Sequence, residues 1–337
     1  MTYRNVLRCV AIGLLCMAGV VSAQSLGTVR FHEYPGSIAH IGSWAMVEHG
    51  FCEKHNIKCE RVLLPNGPLA QQAAAAGGVD IINSSADVMM QAVSRGHSLQ
   101  IIGTLASNNV YSLAVRADLP NTADGYPENV QALKDVRNLK IGVTARGSAT
   151  EMYARALLDG AGVSPDTATY VAVGAPNTAY AALVAKQVDA ILSWDPIPAM
   201  CVATGNCRVL VDLRKGEGPA ALTAMNGGFV VWQATSDFVQ KNQAKVDAFL
   251  SAYAEAVAWV KDPKNRAEVE ALVRKNFKPG DVPNQQAFME QLLNETLALI
   301  GSSFDPGVID GFNQFLMRWK LIEKPLPVEA IVYEKAR

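Results

Sequence analysis

Three serines stand where a helix is expected to follow a strand: Ser37, Ser85 and Ser148. A serine there places its hydroxyl beside free backbone N–H groups and the positive end of the helix dipole, a combination that holds anions and polar groups. The same strand ends carry other polar or aromatic residues. In the first half of the chain these are Tyr34, then Asn83 and Ser84, then Asn108 and Asn109. In the second half they are Gly147, Asn177, Trp194 and Asp195. Asp195 has a carboxylate suited to an amine or a ring N–H, and Trp194 offers a face to an apolar or cationic group. Each serine would equally serve as a plain helix cap, and Asp195 as a surface acid beside a core tryptophan. The case for one shared site is that such residues recur at matching places in both halves.

A second constellation has metal-like spacing. His49, Cys52, His55 and Cys59 lie close enough in sequence to supply four zinc ligands. A second cysteine pair, Cys201 and Cys207, is equally tight and has no histidine beside it. Four cysteines permit three connectivities, and proximity in an exported chain favours the local one. The expectation is therefore two disulfides, Cys52–Cys59 and Cys201–Cys207, and no metal.

No nucleophile elbow, H-E-x-x-H, G-x-G-x-x-G or Walker loop occurs. No catalytic residue and no cofactor is assigned, and binding without conversion is expected. His32 beside Glu33 is an isolated pair, expected to be structural.

The elements that must position these residues form a repeat with an offset of roughly 109 residues. Val79-Asp80-Ile81-Ile82-Asn83-Ser84 matches Val188-Asp189-Ala190-Ile191-Leu192-Ser193. Each follows an alanine-rich helical stretch, itself preceded by a strand and a Gly/Pro/Asn turn, and each half begins and ends with a further strand. Strands alternating with helices of these lengths predict an α/β fold, with two doubly wound βαβ lobes whose parallel sheets are covered on both faces.

Beyond Phe229-Val230-Val231-Trp232, a single apolar strand, the pattern turns helical. Ser236 to Val260 reads as one long amphipathic helix with Val239, Val246, Phe249, Leu250, Tyr253, Val257 and Val260 on one stripe. Shorter helices complete a helical C-terminal tail. Lobe one is assigned residues 24–116 plus 225–337, and lobe two 119–222. The Pro120 to Glu128 and Lys215 to Pro219 stretches are read as the two crossings of a hinge.

Arg4 and Arg8, the apolar run Cys9 to Val21 and the small residues Val21-Ser22-Ala23 form a secretory signal, residues 1–23, cleaved after Ala23. The run is shorter than the ~20 residues a membrane helix needs. The formal net charge of −1 is too balanced to attract a nucleic-acid backbone.

Taken in order, Val79-Asp80 with Ser84-Ser85, Ile141-Gly142-Val143 with Gly147-Ser148, and Val188-Asp189-Ala190 through Asp195-Pro196 resemble the periplasmic binding proteins of the nitrate/sulfonate/taurine type of ABC importers. That group includes the alkanesulfonate-, taurine- and thiamine-precursor-binding proteins. The resemblance implies a two-lobed periplasmic binding protein fold, monomeric, that closes on a small molecule and hands it to a permease and an ATPase. It places Ser37, Ser85, Ser148 and Asp195 at usual ligand positions. The ligand implied is a small anion or zwitterion such as a sulfonate or taurine. The alternatives are a neutral heterocycle such as a thiamine-precursor pyrimidine, or delivery to a sensor kinase. The related pyrimidine-synthesising fungal enzymes carry a cysteine-rich motif and a histidine, and this sequence has no such cluster.

Overall fold

The computed structural model describes residues 25–119 and 125–337. The expected signal segment and the cleavage site expected after Ala23 lie outside the described residues, as does part of the 120–128 stretch. The repeat folds as the sequence implies. Strands β1 (Gly27–Glu33), β2 (Ile57–Leu63), β3 (Ile82–Ser85) and β4 (Leu99–Ala106) alternate with helices in the first half. After β5 (Ser112–Arg116), the strands β6 (Lys140–Val143), β7 (Thr169–Ala172), β8 (Ala190–Ser193) and β9 (Cys207–Asp212) do so in the second. The strand β10 (Val230–Thr235) follows, and then helices.

The expectation of all-parallel sheets does not hold. In lobe two the order is β7-β6-β8-β5-β9; β6 is parallel to β7 and β8, whereas β5 is antiparallel to β8 and β9. In lobe one β1 is parallel to β2 and touches the β3 end through a Phe31–Ile81 bridge, whereas β10 is antiparallel to β3 and β4. Each lobe thus receives one strand from beyond its own repeat, slotted between its third and fourth strands. An apolar strand buried on both faces looks the same in either direction, so its sequence does not report which way it runs.

This exchange also moves the lobe boundaries. The strand β5, assigned by the sequence to lobe one, pairs within the lobe-two sheet. The chain therefore passes between sheets at residues 107–111 and again at 213–229. The 120–128 stretch, expected to be a crossing, runs between two strands of the same sheet.

The long C-terminal helix is broken. Helices Ser236–Lys241 and Gln243–Lys261 are separated by Asn242, at φ −132° and ψ 34°. Asparagine competes for the backbone and is a poor interior helix residue. The apolar stripe still reaches the core: Val246, Phe249, Tyr253, Val257 and Val260 are buried. Trp232 of β10 meets the rings of Phe249 and Tyr253 edge-on, each at 5.2 Å. Gly42 lets the helix Ile41–Glu48 lie against this one, since a Cβ there would come within 3.1 Å of Tyr253 and Val257.

The disulfides are Cys52–Cys59 and Cys201–Cys207. The histidines spaced near the first pair go elsewhere. The His49 ring packs on Trp259 at 4.0 Å, and His55 Nε2 meets Glu255 Oε1 at 3.1 Å.

Candidate functional site

One cleft lies between the lobes at the carboxyl ends of their strands, where open α/β sheets hold ligands. Tyr34, Ser37, His40, Asn83, Ser84 and Ser85 line it from lobe one. Val110 and Tyr111 line it from the first crossing, and Thr144, Ser148 and Trp194 from lobe two. Of the residues expected at the site, Tyr34, Ser37, Ser84, Ser85, Ser148 and Trp194 come together here. Gly147, Asn177 and Asp195 are not among the lining groups.

The floor is built from β1 and the loop that follows it. His32 donates from Nε2–H to the Leu64 carbonyl at 3.0 Å and accepts at Nδ1 from the Asn83 N–H at 3.5 Å, and burial holds its pKa down to about 4. It is a neutral structural strut. Glu33 is buried and tied to Arg61 at 2.6 Å and to the Ser43 hydroxyl at 2.6 Å. The Tyr34 hydroxyl donates to the Asn83 carbonyl at 3.1 Å, and the Tyr34 N–H donates to His40 Nε2 at 2.9 Å. Burial pushes the His40 pKa well down, so its ring is neutral and its one proton sits on Nδ1. That Nδ1 makes no hydrogen bond within the described residues.

Rings form the wall. Tyr34 and Tyr111 meet Trp194 edge-on at 5.3 and 6.0 Å. The Trp194 Nε1–H donates to Ser37 Oγ at 2.8 Å, a direct bond between the lobes. Tyr111 and Thr144 line the cleft without a sequence signal that singled them out. Tyr111 lies in a crossing with no motif, and Thr144 at a strand end whose polarity alone hinted at it.

The three serines do not act as side-chain caps. None accepts a hydrogen bond from its own helix's first-turn amides. The Ser37 hydroxyl accepts from Trp194. The Ser148 hydroxyl donates to the Ala145 carbonyl at 2.7 Å and meets Thr150 Oγ1 at 2.8 Å. The Ser85 hydroxyl is buried and makes no regular hydrogen bond. Ser84 Oγ accepts from Gln233 Nε2 at 2.7 Å.

Each of the two longer helix ends already has its own carboxylate. Glu151 stands in the first turn behind Ser148, accepts from the Gly147 N–H at 2.8 Å, and pairs with Arg146 at 3.0 Å and Arg155 at 3.2 Å. Gly147, at φ +74°, supplies the left-handed turn that aims this N–H. Asp87 stands in the first turn behind Ser85 and is fully buried. Burial raises its pKa to about 6, while the adjacent Ser85 and Tyr153 hydroxyls draw it back down. Sequence patterns had not singled out Asp87, because one acid in a first turn is ordinary.

Asp195 faces away from the cleft. Its Oδ1 accepts from Arg214 Nη1 at 2.6 Å, and the same guanidinium binds Asp212 and, from the C-terminal helices, Glu295 at 2.9 Å. Burial pushes the Asp195 pKa up to about 7, with Arg214 opposing. Asn177 is exposed and packs against Gly36 of the other lobe. Asn109 shapes the first crossing, its Oδ1 accepting from the Tyr111 N–H at 3.0 Å.

Residues 37–266 match the family model described as NMT1/THI5 like. A protein of Escherichia coli (strain K12), provisionally named an aliphatic sulfonates-binding protein, is 24% identical over 78% of this chain and 77% of its own. A structure from Bordetella bronchiseptica RB50 superposes with a TM-score of 0.76 at 19% identity, covering 92% of this chain and 95% of that one. The alkanesulfonate-binding protein of Xanthomonas axonopodis pv. citri, bound to MOPS, superposes with a TM-score of 0.70 at 19% identity, covering 93% and 99%. The chain belongs to the NMT1/THI5-like family and has the two-lobed α/β fold of periplasmic binding proteins.

Proposed function

We propose that the protein captures a small, neutral, planar heterocycle between Trp194, Tyr111 and Tyr34 and presents it to the permease and ATPase of an ABC importer. The observation that carries this reading is the charge of the cleft. Its lining contains rings, hydroxyls, an amide and a neutral histidine, and no lysine or arginine among the described residues. Taking a fully ionised group out of water without a partner charge is costly. A flat ring buried between aromatic faces, with a few hydrogen bonds at its rim, fits such a lining. Closure would flex the chain at 107–111 and 213–229, with residues 112–212 moving as lobe two. As a transport receptor the protein binds its ligand without converting it.

A second reading is a sulfonate or taurine-like ligand, as the names of the E. coli and Xanthomonas proteins suggest. Two helix N-termini do approach the cleft, behind Ser85 and Ser148. A helix end carries only about half a positive charge, and Asp87 and Glu151 each place a carboxylate in that first turn. Little of the dipole is left for an anion. Thermal shift with two ligand sets separates the readings. A true ligand at ~100 times its Kd should stabilise the fold by about 2.7 kcal/mol. A neutral heterocycle is expected to do so, and alkanesulfonates and taurine are not. Stabilisation by a sulfonate alone would reverse the assignment.

A further inference from the structure

Four of the unused polar atoms near the cleft form one group. Ser85 Oγ, both Asp87 carboxylate oxygens and the Tyr153 hydroxyl are all buried and make no regular hydrogen bond within the described residues. Ser85 lines the cleft; Asp87 lies one residue beyond its neighbour, behind it, and is fully buried. Tyr153 approaches from the helix Ala149–Gly160 of the other lobe. The hydroxyls of Ser85 and Tyr153 stand beside the carboxylate, and Tyr111 stands beside Ser85. The titratable groups around Asp87, namely Tyr34, Tyr111 and Tyr153, are all pushed up by burial and stay protonated. Asp87 is therefore the one ionised group in this cluster near neutral pH.

A carboxylate only accepts hydrogen bonds, and a serine hydroxyl carries a single proton and two lone pairs. A hydroxyl facing both a carboxylate and a cleft turns its proton to the carboxylate, which leaves its lone pairs for the cleft. We propose that Asp87 is a positioning residue that fixes Ser85 as a hydrogen-bond acceptor, so that the protein selects ligands presenting an N–H or O–H donor at that end. This rests on the heterocycle reading above and narrows it: the substrate class is a planar ring bearing a donor. His40 Nδ1–H adds a donor elsewhere on the lining, suited to a ring acceptor on the same ligand. An unmatched buried polar group discriminates more strongly than a missing methylene, because the site's own atom is left unpaired.

The test uses two probes of one shape, benzimidazole and benzoxazole, which differ by N–H against O at one ring position. Binding of each to the full mature protein is measured by titration calorimetry at pH 7.5. Wild type is expected to prefer benzimidazole by about tenfold or more. Asp87→Asn can donate to Ser85 and release its proton toward the cleft, so the preference should vanish or invert. Ser85→Ala removes the acceptor and should also abolish the preference with Asp87 intact, which covers the case of an Asp87 variant that fails to fold. A merely structural role for Asp87 would weaken both probes alike and leave their ratio unchanged, and that result overturns the proposal. Equal binding of both probes to wild type overturns it while leaving the heterocycle reading in place. Binding of neither probe contradicts both.

Discussion

Asp87 and Asp195 are both buried acids at the ends of strands, one in each lobe, yet they are held in opposite ways. Asp195 has a guanidinium at 2.6 Å that it shares with Asp212 and Glu295, and it is turned from the cleft. Asp87 has no cation beside it among the described residues; it stands among hydroxyls and rings behind the cleft wall. A buried acid with a full ionic partner is part of the framework. One left with only hydroxyl neighbours still has acceptor capacity to direct. The difference separates scaffold from site better than the position of either residue in the chain does.

The strongest way to break this contrast is to remove the cation. Arg214→Ala would leave Asp195 and Asp212 buried without their partner. It should cost about 3–5 kcal/mol of stability, the usual penalty for breaking a buried ion pair, as read by urea unfolding. A loss under ~1 kcal/mol would mean that Asp195 is not held as part of the framework.

Asp87 has no cation to lose among the described residues, so the variant to make there is one that removes its own charge. Its folded-state pKa of about 6 lies above the ordinary 3.8, so keeping it ionised costs stability at neutral pH. The ligand-free Asp87→Asn protein should be about 1–3 kcal/mol more stable than wild type at pH 7.5. The gap should narrow as pH falls through 6 and close near 4, because protonation then favours the folded wild type. Paired unfolding curves at several pH values check this, and a gap independent of pH would contradict it. Donor-bearing ligands should also lose affinity for wild type below pH 6, as protonated Asp87 stops holding the Ser85 proton.

Smaller effects sharpen the picture. Trp194→Phe keeps the ring but removes the N–H that reaches Ser37 across the lobes. It should weaken ligand binding and also cost about 0.5–1.5 kcal/mol of ligand-free stability, since the bond is already made without ligand. Calorimetry and unfolding measure the two losses. The smallest contrast is between the two serines. Ser148→Ala forfeits its bonds to Ala145 and Thr150 and should cost about 1 kcal/mol of stability. Ser85→Ala forfeits the proton it turns to Asp87 and should cost a similar amount of stability, but only this variant should change ligand selectivity.

The repeat of strands and helices was legible because residues such as Val79 to Ser84 and Val188 to Ser193 carry the same apolar run at the same place in each half. Ser37, Ser85, Ser148 and Trp194 could be marked as site candidates because strand ends of α/β sheets converge. What stayed hidden was pairwise. Nothing in Ser112 to Arg116 or Val230 to Thr235 says that these strands run against their neighbours, since burial on both faces erases direction. Asp195 looked like a ligand group because its partner lies 19 residues on in another element. Asp87 passed unnoticed because its character comes from burial, and then from Ser85 and from Tyr153 of the other lobe, which only the folded pair of lobes brings near.

The account's central claim is that the cleft takes a neutral, donor-bearing ring. The most direct measurement is to purify the protein from the periplasm without refolding, release what it carries by denaturation, and identify that molecule by high-resolution mass spectrometry. A stoichiometric heterocycle that is uncharged at neutral pH and has at least one N–H or O–H on its rim is the predicted result. A sulfonate or other fixed anion recovered in the same amount would contradict it.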